Sequence, residues 1–417
     1  MNDSRTYDRW DVGMLIFSLA GIFLSLSGGL AFAGIAIMSG LQGNLASAQS
    51  AEWSSAGILF ASALGLPALI GSARALLTAS DVQQPSKPSR TCYAVLLLFP
   101  VGLLLSYLAY EQSIFSSLFG PVGQLLAIGA PAAGVVVAVR RSGPATRPRR
   151  AWGHFLVGLW AVPLAALLAE AILLVGTIAA GMIALLTTVQ GRTLAGELQQ
   201  LLQPTNPMTQ PISPDLLAQV ALQPAILILV FLFLSVGVPA IEEGMKTAAI
   251  WPLLSRRLTS GEAFLGGAIG GTGFALSEAI LVTQPMAGWL PTVVSRAGAT
   301  MMHALATGIA AWGVAEAIGQ RRWRRGALAF LSAMALHGIW NAGALSIGVG
   351  EMSKEFNLGP PIDANALAAV GIGLIVVLSL LAFMALPILQ RRATAGRAKP
   401  ETEPEEEGTV AAGERQA

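Results

Sequence analysis

The chain has 417 residues, 54% of them apolar and only 12% charged, with a net charge of +2. Such a composition lies outside the range of soluble domains, and the near-neutral balance gives no electrostatic case for nucleic-acid binding. A single cysteine, Cys92, excludes an intramolecular disulfide framework and leaves no thiolate metal site.

Ten apolar segments can be read along the chain, each long enough to cross about 30 Å of hydrocarbon as a helix. In order they run from Val12 to Met38, Ser54 to Ala73, Cys92 to Tyr110, Ile114 to Val139 and Trp152 to Val189. Then come Gln223 to Leu254, Ala263 to Val282, Arg296 to Ile318, Gly326 to Ile347 and Asn365 to Leu389. The expected fold class is all-α: a polytopic helical membrane protein of about ten transmembrane helices, placed in the cell membrane. The first segment is too long for a signal-peptide core and reads as an uncleaved span. The segment from Trp152 to Val189 is overlong and contains Pro163 and Glu170, so it reads as a broken span or a tight helical pair.

Loop charges test the count. With a cytoplasmic N-terminus, alternate loops carry Arg74, Lys87 and Arg90, then Arg140, Arg141, Arg147, Arg149 and Arg150. Arg256 and Arg257, the Arg321–Arg325 run, and Arg391, Arg392, Arg397 and Lys399 continue the pattern. Most of the 25 basic residues then face one side, which fits the positive-inside rule with both termini cytoplasmic. The expected organisation is about five transmembrane helices in residues 1–222, with a long extracytoplasmic loop at 190–222 read as a solvated linker. A catalytic-type four-helix core follows over 223–348, a last transmembrane helix over 349–390, and a disordered cytoplasmic tail over 391–417. No internal repeat is visible.

Ionisable groups are costly inside a bilayer, and there they mark interior or water-accessible sites. The sixth segment holds Glu242, Glu243 and Lys246 (EEGMK), and the seventh Phe274 and Glu278 (FALSE). The eighth holds His303 and Thr307 (HALAT), and the ninth His337, Trp340 and Asn341 (HGIWN). Helical rise puts Glu242, Glu278, His303 and His337 about 18–27 Å from the nearest cytoplasmic charge of their segments, in one layer near mid-membrane. Two adjacent acids with one lysine leave a surplus charge, so a purely structural ion pair does not account for them. Lys246 and Asn341 read as supporting groups, and Phe274 and Trp340 as packing residues. His154 reads as interfacial, and Glu170 as pairing within the bundle. The glycines from Gly266 to Gly273 would let neighbouring helices approach closely.

These four motifs, in this order, resemble those of the PrsW family of intramembrane proteases, relatives of the CAAX prenyl protease and bacteriocin-processing membrane peptidases. Glu242, Glu243 and Lys246 match the family's Glu-Glu-x-x-Lys, and Phe274 with Glu278 its Phe-x-x-x-Glu. His303, and His337 with Trp340 and Asn341, match the two histidine-led motifs. The resemblance covers about residues 225–345; it departs at Ala279, where many members carry asparagine. It implies an intramembrane endopeptidase acting on a membrane-anchored protein, such as an anti-sigma factor cut at its extracytoplasmic side, with no nucleic-acid partner.

On that reading one carboxylate of the Glu242/Glu243 pair is general base on a water, and Lys246 keeps the other ionised. His337 and Asn341 stabilise the oxyanion, while Glu278 and His303 orient water or protonate the leaving amine. The cofactor stays open. A divalent metal such as zinc would draw on His303, His337 and Glu278, but no His-x-x-x-His supports it, and metal-free glutamate chemistry is favoured. The competing readings are a proton-coupled transporter or channel using the same Glu/His layer, and a non-catalytic membrane scaffold.

Overall fold

The computed structural model describes residues 9–77, 84–111, 116–201, 213–256, 258–283, 288–356 and 363–395. Ten helices in it are long and apolar enough to cross a membrane. They are α1 (Trp10–Leu41), α2 (Leu45–Leu77), α3 (Arg90–Ala109), α4 (Phe119–Ser142) and α5 (Pro148–Leu186). The second five are α6 (Pro224–Ala249), α7 (Ser260–Val282), α8 (Trp289–Gly319), α9 (Trp323–Glu355) and α10 (Ala364–Ala395). Each lies on one of the ten segments expected from sequence, and no strand occurs among the described residues.

Four local expectations need correction. The fifth segment is one continuous helix, not a pair. A π turn at Val157–Ala161 precedes Pro163 and absorbs the disturbance of a residue that has no N–H to donate. The sixth does not run straight to Leu254, because its α-helix ends at Lys246 and continues as 3-10 turns at Thr247–Ala249 and Trp251–Arg256. The linker at 190–222 contains two helices, Val189–Leu201 and Pro214–Ala221. The second is started by Ser213, whose hydroxyl accepts from the Leu216 N–H at 3.2 Å. Finally, α10 continues to Ala395, past the expected start of the tail; the acidic run of that tail lies outside the described residues.

α7 is the hub, packing against α2, α4, α5, α6, α8 and α10. Its start is fixed by a capping box: the Thr259 hydroxyl accepts from the Glu262 N–H, and the Glu262 carboxylate accepts from the Thr259 N–H. Glycine then decides how near its neighbours come. A Cβ on Gly271 would lie 2.6 Å from the His303 carbonyl oxygen, and one on Gly270 would lie 2.5 Å from the Ala249 side chain. Gly271 therefore brings α8 into contact and Gly270 the end of α6, so helix packing alone draws two motif-bearing elements onto α7.

Candidate active site

Lys246 is the centre of the site and is fully buried. Its ammonium has three protons and meets three acceptors: Glu242 Oε2 at 2.8 Å, Glu243 Oε1 at 2.9 Å and His303 Nδ1 at 2.9 Å. The Phe274 ring lies beneath it, 4.0 Å from Nζ to the centroid, a cation–π contact that gives Phe274 more than a packing role. Because His303 Nδ1 accepts from Lys246, the ring's hydrogen sits on Nε2, which faces Glu278 Oε2 at 2.8 Å. Glu278 also accepts from the Arg296 guanidinium at 2.7 Å. A continuous path of charge and hydrogen bonds thus runs from α6 through α8 to α7.

The two adjacent glutamates occupy different environments. Glu243 is sealed and fully engaged: Lys246 and His337 Nδ1 meet its Oε1, both at 2.9 Å, and the Thr307 hydroxyl donates to its Oε2 at 3.0 Å. Glu242 receives only Lys246 at hydrogen-bond distance, with His337 Nε2 farther away at 3.7 Å. Its carboxyl lines a cavity of about 260 Å³ together with Glu278, Arg296, His303, His337 and Asn341. A second cleft, about 360 Å³ and mostly apolar, opens on the other side of Glu242 and Glu278 between residues of α1, α2, α5 and α7. Glu170 also lines that cleft, and its Oε1 is buried without a hydrogen-bond partner among the described residues.

Local structure explains how α6 presents these groups. A π turn at Phe233–Gly237 precedes Pro239 and re-aims the helix just before the glutamates. The Leu234 carbonyl in that turn accepts from the Asn341 amide at 2.8 Å. Gly338 lies against the neighbouring Ser235 carbonyl, where a side chain would collide with it. Asn341 therefore holds the turn with one of its two amide N–H groups while lining the cavity. His154 is also misjudged from sequence. It is buried rather than interfacial, and its Nδ1 meets the Ala249 carbonyl at 2.6 Å, fixing the 3-10 end of α6 beyond Lys246.

All five candidate catalytic residues, Glu242, Glu243, Glu278, His303 and His337, thus fall in one connected cluster with Lys246. Sequence reasoning missed Arg296, which it took as the edge of a segment although it lies two turns inside α8. An arginine seven residues before His303, on the same helical face, was the available signal.

Glu242, Glu243, His303 and His337 offer donor atoms within 4.8 Å of one another, ligand types suited to a catalytic zinc. Glu278 is not in that group, since it engages the far nitrogen of His303. Three of the residues in the group already converge on the Lys246 ammonium. A divalent ion roughly 4 Å from that ammonium would be repelled by about 8 kcal/mol at an effective dielectric of 20. As arranged, the donors fit Lys246 and do not fit an ion beside it.

A family model described as PrsW family intramembrane metalloprotease matches residues 146–384. The match begins with α5 and ends in α10, well beyond the four motif-bearing segments. No curated protein and no solved structure matches the chain.

Proposed function

The chain belongs to the PrsW family of intramembrane metalloproteases and is a multi-pass membrane protease, and from that premise we propose that it hydrolyses a peptide bond with Glu242 as general base. The observation that carries this assignment is the difference between the two glutamates. Glu243 has its oxygens taken by Lys246, His337 and Thr307, whereas Glu242 faces a cavity with lone pairs to spare.

In the proposed reaction Glu242 takes a proton from water as the oxygen attacks the scissile carbonyl carbon. The carbonyl electrons move onto oxygen. As the tetrahedral intermediate collapses, the C–N bond breaks and the same proton passes to the departing amine. Glu243 does no proton transfer; it anchors Lys246 and His337 and fixes their positions. Lys246 offsets the charge of the carboxylate pair, the role a metal would otherwise have, so no step is routed through an ion. His337 lies beside Glu242, where its Nε2 can contact the attacking water. The substrate class is a membrane-anchored protein such as an anti-sigma factor, in keeping with a site carried on membrane-spanning helices.

The test uses purified protein in lipid vesicles, with elemental analysis before and after exhaustive chelation. Cleavage that survives chelation and is lost in Glu242→Gln supports the assignment. Stoichiometric metal whose removal abolishes cleavage, and whose return restores it, overturns the metal-free chemistry.

A further inference from the structure

Arg296 has one hydrogen-bonding group that the cluster does not use. Its NH2 donates to Glu278 Oε2 at 2.7 Å, yet its Nε is buried and has no acceptor among the described residues. A donor held away from water without an acceptor is costly, and such groups are retained where a ligand completes them. The same side chain lines the 260 Å³ cavity that also holds Glu242 and His337. It lies two turns inside α8, where a charged residue is expected to serve a site.

We propose that Arg296 is a catalytic residue, its guanidinium donating to the substrate carbonyl oxygen as that oxygen becomes an oxyanion. The inference rests on the hydrolytic reading above. When Glu242 takes the proton from water, negative charge leaves its carboxylate and reappears on the carbonyl oxygen. A cation sharing that cavity stabilises the charge where it arrives, and Glu278 fixes the guanidinium beforehand so that little reorganisation is needed. His303 completes the fixation. Its Nε2–H and the Arg296 NH2 meet the same oxygen of Glu278, which leaves the carboxylate little freedom to turn. Asn341 is tied to the Leu234 carbonyl through one amide N–H and carries no charge to offset an oxyanion.

The test needs a substrate and a mimic of its transition state. The substrate is a single-span peptide from a membrane protein whose cleavage is lost in cells carrying Glu242→Gln. The mimic is the same sequence ending at the scissile position in an aldehyde, which hydrates to a tetrahedral diol. Arg296→Gln is expected to lower kcat by about 100-fold with KM changed less than about threefold. Affinity for the aldehyde should fall by the same factor as kcat/KM, a correlation that a purely structural role would not produce. Arg296→Lys keeps a cation for Glu278 but lacks the guanidinium fork, so it should fold normally and remain at least 10-fold slow. Full activity in Arg296→Lys, or unchanged aldehyde affinity in Arg296→Gln, overturns the proposal and leaves the protease assignment intact. Failure to find any peptide cut by the parent and spared by Glu242→Gln overturns both.

Discussion

α5 and the α7–α8 pair are both membrane helices by length and composition, yet they are built for opposite surroundings. The most apolar stretch of α5 is only 11% buried within the protein, so most of it faces outward. The corresponding stretches of α7 and α8 are 78% and 72% buried. Of the ten spans, α7, α8 and α9 are the least apolar, and they carry Glu278, His303 and His337. A helix surrounded by protein does not need a greasy surface, so glycine, threonine and ionisable residues accumulate there. Hydropathy is thus lowest on three of the four site-bearing spans, whereas α6 stays among the most apolar and confines Glu242, Glu243 and Lys246 to one buried turn.

The largest contrast should come from the acids at the centre. Glu242→Gln is expected to reduce proteolysis by about 10³–10⁴-fold at a smaller cost in thermal stability than loss of the Glu243 carboxylate, because the isosteric amide oxygen can still accept from Lys246, its one hydrogen-bond partner. Glu243→Ala should lose activity for a different reason. It strips a carboxylate from a fully buried ion pair and should destabilise the protein by about 3–5 kcal/mol, measurable by thermal unfolding in detergent. Equal stability loss in the two variants would erase the distinction drawn between them.

The seam between α7 and α8 comes next. Gly271→Val places a side chain against the His303 carbonyl and should cost about 1–3 kcal/mol, together with most activity, as the imidazole is pushed from Lys246. A milder change is Thr307→Val, which removes one donor from Glu243 at nearly constant volume. A loss of about 1.5–3 kcal/mol is expected, since the acceptor is a buried carboxylate. On α5, Leu168 is 69% exposed, and Leu168→Ala should alter stability by no more than about 0.5 kcal/mol. A Leu168→Ala effect as large as that of Gly271→Val would mean that α5 is not the outward-facing element described here.

Much of this arrangement could be read from the sequence. Ten spans follow from apolar runs, and the i, i+4 pairs put Glu242 with Lys246, and His303 with Thr307, on the faces that meet. The glycines of α7 announced close packing. What stayed hidden was the division of labour between adjacent residues, because Glu242 and Glu243 are chemically identical and only the third dimension shows which one Thr307 and His337 occupy. The π turn at Phe233–Gly237 was hidden as well. No sequence periodicity distinguishes i+5 from i+4 bonding over one turn. Arg296 escaped because it was taken as the edge of a segment.

The most direct measurement compares fragments of membrane proteins, by mass spectrometry, in cells expressing the wild-type chain and cells expressing Glu242→Gln at equal level. The expected result is at least one single-span protein whose cleavage products disappear in the variant while its intact form accumulates. Identical fragment profiles, with the variant normally inserted and as stable as the parent, would contradict a hydrolytic role for the Lys246-centred cluster.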